Sequence, residues 1–334
     1  MRVVHAGEPT SKDLLSSGIV EVASPVSWRL LLRRPDARVR LVQFRQPLTD
    51  RDYRRLAGWL EDHPSIDLRA WGHVPDLDFL RFFPKLLRFS ADTFYESPES
   101  FAGLRHLRPD LHSLTLGSTD KRLSLSPLEH FTGLRRLFLQ KHTKDIDVLS
   151  RLTSLRSLTL REITLSDLSV LLPLPELRAL DLKLGGTRDL SLLPQIGQLE
   201  YVELWMIRGL DDLTPLAEVA TLRSVHLEAL KQVTALPADL SRLTRLDTIY
   251  IETMKGLADL TPLLTAPVLR RVALVNMTHL EPAQVGVLRD HPSLRCLIAG
   301  LGSNRKNRAV RELVPLPGSE DWDPEPRKLL LSGD

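Results

Sequence analysis

The chain has 334 residues and a formal net charge of +3, with 45 basic residues against 42 acidic ones, so charge alone predicts no wholesale attraction to nucleic acid or membrane. Hydrophobic residues make up 43% and charged residues 26%, a folded chain's balance that excludes disorder throughout. The single cysteine excludes a disulfide framework and a multi-cysteine zinc site, and it fits a reducing compartment. The N-terminal MRVVHAGEPTSKDLLSSG has no continuous apolar core and no A-x-A cleavage signal, and no run of 18 apolar residues follows. The expectation is a cytoplasmic protein with no membrane association.

Residues 1–36 are expected to form an N-terminal cap. Residues 37–103 read as divergent repeats with one helix. There ARVRLVQF (37–44) and LLRFSA (86–91) have strand character, and between them TDRDYRRLAGWLEDHP shows helical spacing at Tyr53, Leu56 and Leu60. Thr49 and Asp50 stand where that helix needs a cap. From 104 to 301 the pattern L-x-x-L-x-L recurs nine times. It runs as LHSLTL (111), LRRLFL (134), LRSLTL (155), LRALDL (177), LEYVEL (199), LRSVHL (222), LDTIYI (246), LRRVAL (269) and LRCLIA (294). The starts are 21 to 25 residues apart. The chain holds 70 leucines, about one residue in five against roughly one in ten in ordinary proteins. Residues 302–314 (GSNRKNRAVRELV) are placed to close the stack, and 315–334 read as a flexible, acidic, proline-rich tail around Trp322.

Alternation such as Leu158-Thr159-Leu160 has the strand period of two, so the leucines face one way and the threonine the other. Strands this short need stacked neighbours, whose leucines merge into one core. Each repeat carries a second apolar set, such as Leu125-Ser-Pro-Leu128, Leu213-Thr-Pro-Leu216 and Leu260-Thr-Pro-Leu263. These are too short for long α-helices and predict single 3₁₀ turns with proline in the first turn. Asp167, Asp189, Asp212 and Asp259 precede such turns as candidate caps.

These residues resemble the leucine-rich repeat family, in its internalin-like bacterial form with 22-residue repeats and a D-L-x-P-L segment. The resemblance covers roughly residues 104–300. It implies an α/β solenoid, a curved horseshoe with a parallel β-sheet on its concave face and short 3₁₀ or irregular segments on the convex one. One column departs from the family. Asparagine is usual three residues after the last strand leucine, where it bonds the neighbouring turn. Here that column reads Thr119, His142, Ile163, Gly185, Ile207, Leu230, Met254 and Met277. The turn backbone must then find other partners.

No nucleophile elbow, phosphate loop, C-x-x-C or H-E-x-x-H spacing is present in the sequence, so neither catalysis, a cofactor nor a metal is expected. Function is sought in the non-leucine strand positions, which face away from the core. In the middle repeats these positions cluster Tyr201, Glu203, Trp205, His226, Glu228, Tyr250 and Glu252, with Asp181 adjoining. Three of the chain's nine tryptophans and tyrosines fall in this patch. Aromatics rimmed by charge on an exposed sheet are the composition of a protein-binding hot spot. The expectation is a contiguous, water-facing patch that binds a protein with a basic surface. Arg136, Phe138, Lys141, Arg161 and Lys183 form a basic shoulder beside it. The bland alternative is a set of ordinary cross-strand pairs holding the sheet.

Three other readings stand beside this one. Small bacterial repeat proteins of this kind resemble immunity or defence components that neutralise a toxin or sense an invader. The arginine column Arg135, Arg156, Arg178, Arg223, Arg270 and Arg295 would suit nucleic acid. Its alternative is a row of stems covering the core's edge, since arginine outnumbers lysine 35 to 10 throughout. Catalysis would need His226 with Glu203 and Glu228 as acid and base.

Overall fold

The computed structural model describes residues 18–27, 39–94 and 98–316. The tail around Trp322 and most of the expected N-terminal cap lie outside the described residues. Two compact units divide the chain, Met1–Val148 and Leu149–Asp334. Among the described residues thirteen strands follow one another in chain order.

The first unit holds β1 (Ile19–Glu21), β2 (Leu41–Phe44), β3 (Asp67–Gly72), β4 (Arg88–Phe94), β5 (Ser113–Leu116) and β6 (Arg136–Gln140), each parallel to the next. Helix α1 (Asp50–Glu61) lies between β2 and β3. Thr49 caps it, its hydroxyl oxygen accepting the Asp52 N–H. The Ser24 hydroxyl donates to buried Asp52 at 2.7 Å and the Thr49 hydroxyl at 2.9 Å, which holds the Asp52 carboxyl below its usual range. One face of α1 buries Tyr53, Leu56, Ala57 and Leu60. Tyr53 stacks on Phe79 and Phe82 with ring centroids 5.2 and 5.6 Å apart, and Phe44 meets it edge-on at 5.7 Å.

The second unit holds β7 (Ser157–Arg161), β8 (Ala179–Lys183), β9 (Tyr201–Trp205), β10 (Ser224–Glu228), β11 (Thr248–Glu252), β12 (Arg271–Val275) and β13 (Cys296–Ala299), again all parallel. Pairs such as Leu158 and Leu160, Leu180 and Leu182, and Ile249 and Ile251 are buried in one core. The return segments are short 3₁₀ turns, Thr214–Glu218 and Thr261–Thr265 among them, with proline in the first turn. Asp167, Asp189, Asp212 and Asp259 each accept the backbone N–H two residues on, at 2.7 to 2.9 Å, and Asp239 does the same. Two helices follow β12, α2 (Pro282–Gly286) and α3 (Asn304–Leu313), and they pack on each other. Ser303 caps α3, and Lys306 donates to the Thr278 and Leu280 carbonyls at 3.2 and 3.0 Å.

The missing asparagine column has a physical replacement. In each repeat from β7 to β12 the residue just after the strand is left-handed, with φ between 51° and 58°: Glu162, Leu184, Met206, Ala229, Thr253 and Asn276. For a residue with a Cβ this costs about 1–2 kcal/mol. The turn aims its N–H at the end of the following strand. Glu162, Leu184, Met206, Ala229 and Thr253 donate to the carbonyls of Lys183, Trp205, Glu228, Glu252 and Val275 at 2.7 to 3.0 Å. The column itself has become apolar and buried, as Ile163, Ile207, Leu230, Met254 and Met277. Its two methionine sulfurs accept backbone N–H groups, Met254 from Leu230 and Met277 from Met254, both at 3.4 Å.

Candidate functional site

Parallel pairing in register lines the non-leucine positions of the second unit into ladders. One rung column reads Ala179, Tyr201, Ser224 and Thr248. The next reads Thr159, Asp181, Glu203, His226 and Tyr250, and the third Arg161, Lys183, Trp205, Glu228 and Glu252. The residues named from the sequence in these repeats therefore share one face of β7–β11, with strands about 4.8 Å apart.

That face is not uniformly open to water, which corrects the sequence expectation. Asp181, Tyr201 and Glu203 are buried, at 0%, 5% and 7% exposure. Tyr201 is flanked in register by Ala179 and Ser224, side chains too small to prop its ring outward. Its hydroxyl donates to Glu203 Oε2 on the same strand at 3.1 Å, so the ring lies along the sheet. Asp181 accepts the Thr159 hydroxyl at 2.7 Å. Half-exposed above this layer are Trp205, His226, Glu228, Tyr250 and Glu252.

Two members of the expected basic shoulder stack on the patch. The Arg161 guanidinium and the Lys183 ammonium lie 5.5 and 5.8 Å from the centroid of the Trp205 ring. Lys183 also pairs with Glu203 Oε1 at 2.8 Å. Arg136 and Phe138, half-buried on β6, and exposed Lys141 after it belong to the first unit. The arginine column is drawn into ion pairs in three repeats: Arg156 lies 3.9 Å from Glu176, and Arg178 and Arg223 converge on Glu200 at 3.4 and 3.0 Å.

His226 sits between carboxylates. Its Nδ1 is 3.7 Å from Glu203 Oε1 and its Nε2 3.8 Å from Glu228 Oε2, both too long for hydrogen bonds. Nε2 is buried and has no hydrogen-bond partner. The Tyr250 ring meets the imidazole edge-on, centroids 4.4 Å apart. Burial lowers the His226 pKa, with Lys183 adding to the effect and Glu203 opposing it. The Glu228 pKa is raised, first by burial and then by Glu252 and Glu203. Burial and then its hydrogen bond to Glu252 push the Tyr250 hydroxyl up; it donates to Glu252 Oε2 at 3.0 Å. Asn276 donates to the other Glu252 oxygen at 3.0 Å.

One ligand-type atom from each of Glu203, His226 and Glu228 lies within 4.8 Å of the other two. Spacing within one segment predicts no metal here, because the three groups come from two adjacent strands. The available signal was H-x-E on one strand with an acid at the histidine's column one repeat earlier. Cys296 is a buried thiol on β13, at a packing position.

No protein-family model and no curated protein matches the chain. Solved structures do. An internalin (inlF) from Listeria monocytogenes matches with a TM-score of 0.59 at 20% identity, over 94% of this chain and 90% of its own. The chain has the leucine-rich-repeat fold. TLR13, solved in a TLR13-ssRNA13 complex, matches this leucine-rich-repeat chain with a TM-score of 0.55 at 13% identity, over 80% of this chain and 43% of its own. No helix among the described residues is long and apolar enough to cross a membrane.

Proposed function

We propose that this leucine-rich-repeat chain is a non-enzymatic recognition scaffold, and that it docks a protein partner with a basic surface on the concave face formed by β8–β11. Trp205, His226 and Tyr250 are the anchors and Glu228 and Glu252 the acidic rim. Tyr201, Glu203 and Asp181 lie beneath them and fix their positions. One observation carries the reading: three half-exposed aromatic rings and two half-exposed carboxylates stand together on strands held in register. A face already pinned by its own cross-strand bonds loses little entropy on docking. The arginine column favours nucleic acid less, because Arg178 and Arg223 share Glu200. The lone buried cysteine accords with a reducing cytoplasm.

The test is capture from the native host with wild type and with Trp205→Ala and Glu252→Lys, followed by titration calorimetry on the captured protein. Trp205→Ala is expected to weaken binding by about 2 kcal/mol or more, roughly thirtyfold. Glu252→Lys is expected to weaken it further at low salt than at high salt. Affinity unchanged in both variants would refute the assignment.

A further inference from the structure

We propose that Glu203, His226 and Glu228 form a divalent-metal site, suited to Zn²⁺, on the non-leucine face of the second unit. The proposal stands on geometry and is independent of any protein partner.

His226 and Glu228 are two residues apart on β10 and therefore on the same side of the sheet. Glu203 is the register partner of His226 on β9. Two adjacent strands thus present an imidazole and two carboxylates within 4.8 Å of one another. The individual separations are informative. At 3.7 and 3.8 Å the His226 nitrogens miss both carboxylates as hydrogen-bond partners. Two zinc bonds of about 2.0–2.1 Å at a tetrahedral angle span about 3.4 Å. One ion takes only one ring nitrogen, so a single one of these gaps applies, a few tenths of an ångström wider than the distance a shared ion would bridge, and the remaining carboxylate closes in from within 4.8 Å. The His226 Nε2 is buried and makes no hydrogen bond, the condition of a nitrogen free to ligate.

Charge and donor type agree with this assignment. Glu203, Glu228 and Glu252 carry three negative charges in neighbouring columns, and Lys183 supplies one positive charge at Glu203. The group is therefore two charges short of neutrality. One nitrogen with two carboxylate oxygens suits zinc, whereas calcium takes six to eight oxygens and magnesium an octahedral, largely hydrated set. The Tyr201 hydroxyl on Glu203 Oε2 is the outer contact that orients a ligating carboxylate. Three protein ligands leave a fourth position open to the face. Lys183 is the resident competitor, because its ammonium holds Glu203 Oε1 at 2.8 Å and must swing aside when the ion enters.

The experiment uses the full chain, stripped with chelator and titrated with ZnCl₂ by calorimetry, with Co²⁺ absorption as the second readout. One tight equivalent is expected, with tetrahedral Co²⁺ bands between 500 and 650 nm. His226→Ala and Glu228→Gln should each weaken it at least tenfold and remove the bands. Lys183→Met should tighten it several-fold. Should His226→Ala fail to fold by circular dichroism, half-exposed Glu228→Gln carries the same comparison. Zinc binding that is absent, or that persists unchanged in the folded ligand variants, would overturn the proposal, as would unchanged or weaker binding in Lys183→Met. Mg²⁺ or Ca²⁺ binding as tightly as Zn²⁺ would overturn the choice of metal.

Discussion

Met254 tests whether the apolar turn column bears part of the fold's stability. It is fully buried, its sulfur accepts the Leu230 N–H at 3.4 Å, and its own N–H donates to the Met277 sulfur. Met254→Ala removes the side chain and the acceptor together. Truncating a buried Met to Ala costs about 2–5 kcal/mol, depending on how far the site collapses. Leaving the buried Leu230 N–H without a partner adds about 1–3 kcal/mol, less the weakness of a sulfur acceptor. The expected loss is about 3–5 kcal/mol. Met254→Leu keeps the volume and removes only the sulfur, so it should cost about 1–1.5 kcal/mol. Urea unfolding followed by far-UV circular dichroism gives both values, and the slope shows whether the transition stays comparable. A Met254→Ala loss below about 1 kcal/mol would refute the view that this column replaces the family's asparagines. Equal losses in the two variants would place the effect on the sulfur rather than on packing.

His142 gives a pH dependence. Its Nε2 donates to the Gly117 carbonyl at 2.8 Å, its Nδ1 is buried without a partner, and burial holds its pKa below 6.5. The folded state therefore prefers neutral imidazole while the unfolded chain takes up a proton below about pH 6.5, so stability falls as pH drops through that value toward the lower folded pKa. His142→Gln should flatten this part of the stability profile, and an unchanged slope in urea melts at pH 7 and pH 5.5 would count against the reasoning. Thr159→Val removes the hydroxyl donated to fully buried Asp181 and should cost about 1–3 kcal/mol by the same melts. Gly185→Ala should destabilise by about 1–3 kcal/mol, because an added Cβ would stand 2.1 Å from the Ile163 carbonyl oxygen, and backbone cannot yield as a side chain does. A neutral result there would mean that the turn between these repeats shifts freely.

The regular repeats were legible because Leu-x-Leu spacing leaves only one way to bury both leucines. The proline turns and their aspartates were legible for the same local reason, as was α1 from its spacing and Thr49. Strand β3 was missed: its inward positions are Leu68, Ala70 and Gly72, alternating with Asp67, Arg69 and Trp71, so its inward side carries a single large apolar residue. Most of the left-handed turns were hidden because Glu, Leu, Met, Ala and Thr occupy five of the six, and only Asn276 is of the kind that marks such a backbone. At the patch, a period of two told which side Tyr201 faces but not how deep it lies. That depth follows from Ala179 and Ser224 beside it, which only the register reveals.

The left-handed turns tie each repeat to the next, and the strand starts tie it to the one before. Glu162, Leu184, Met206, Ala229 and Thr253 lend their N–H groups forward, while Arg178, Glu200, Arg223 and Asp247 lend theirs back to Arg156, Arg178, Glu200 and Arg223. Trimming a repeat from either terminus therefore leaves amides without acceptors. The loss falls at the end of the newly exposed strand in one truncation and at its beginning in the other, so fraying in hydrogen exchange should start from opposite ends of the strand.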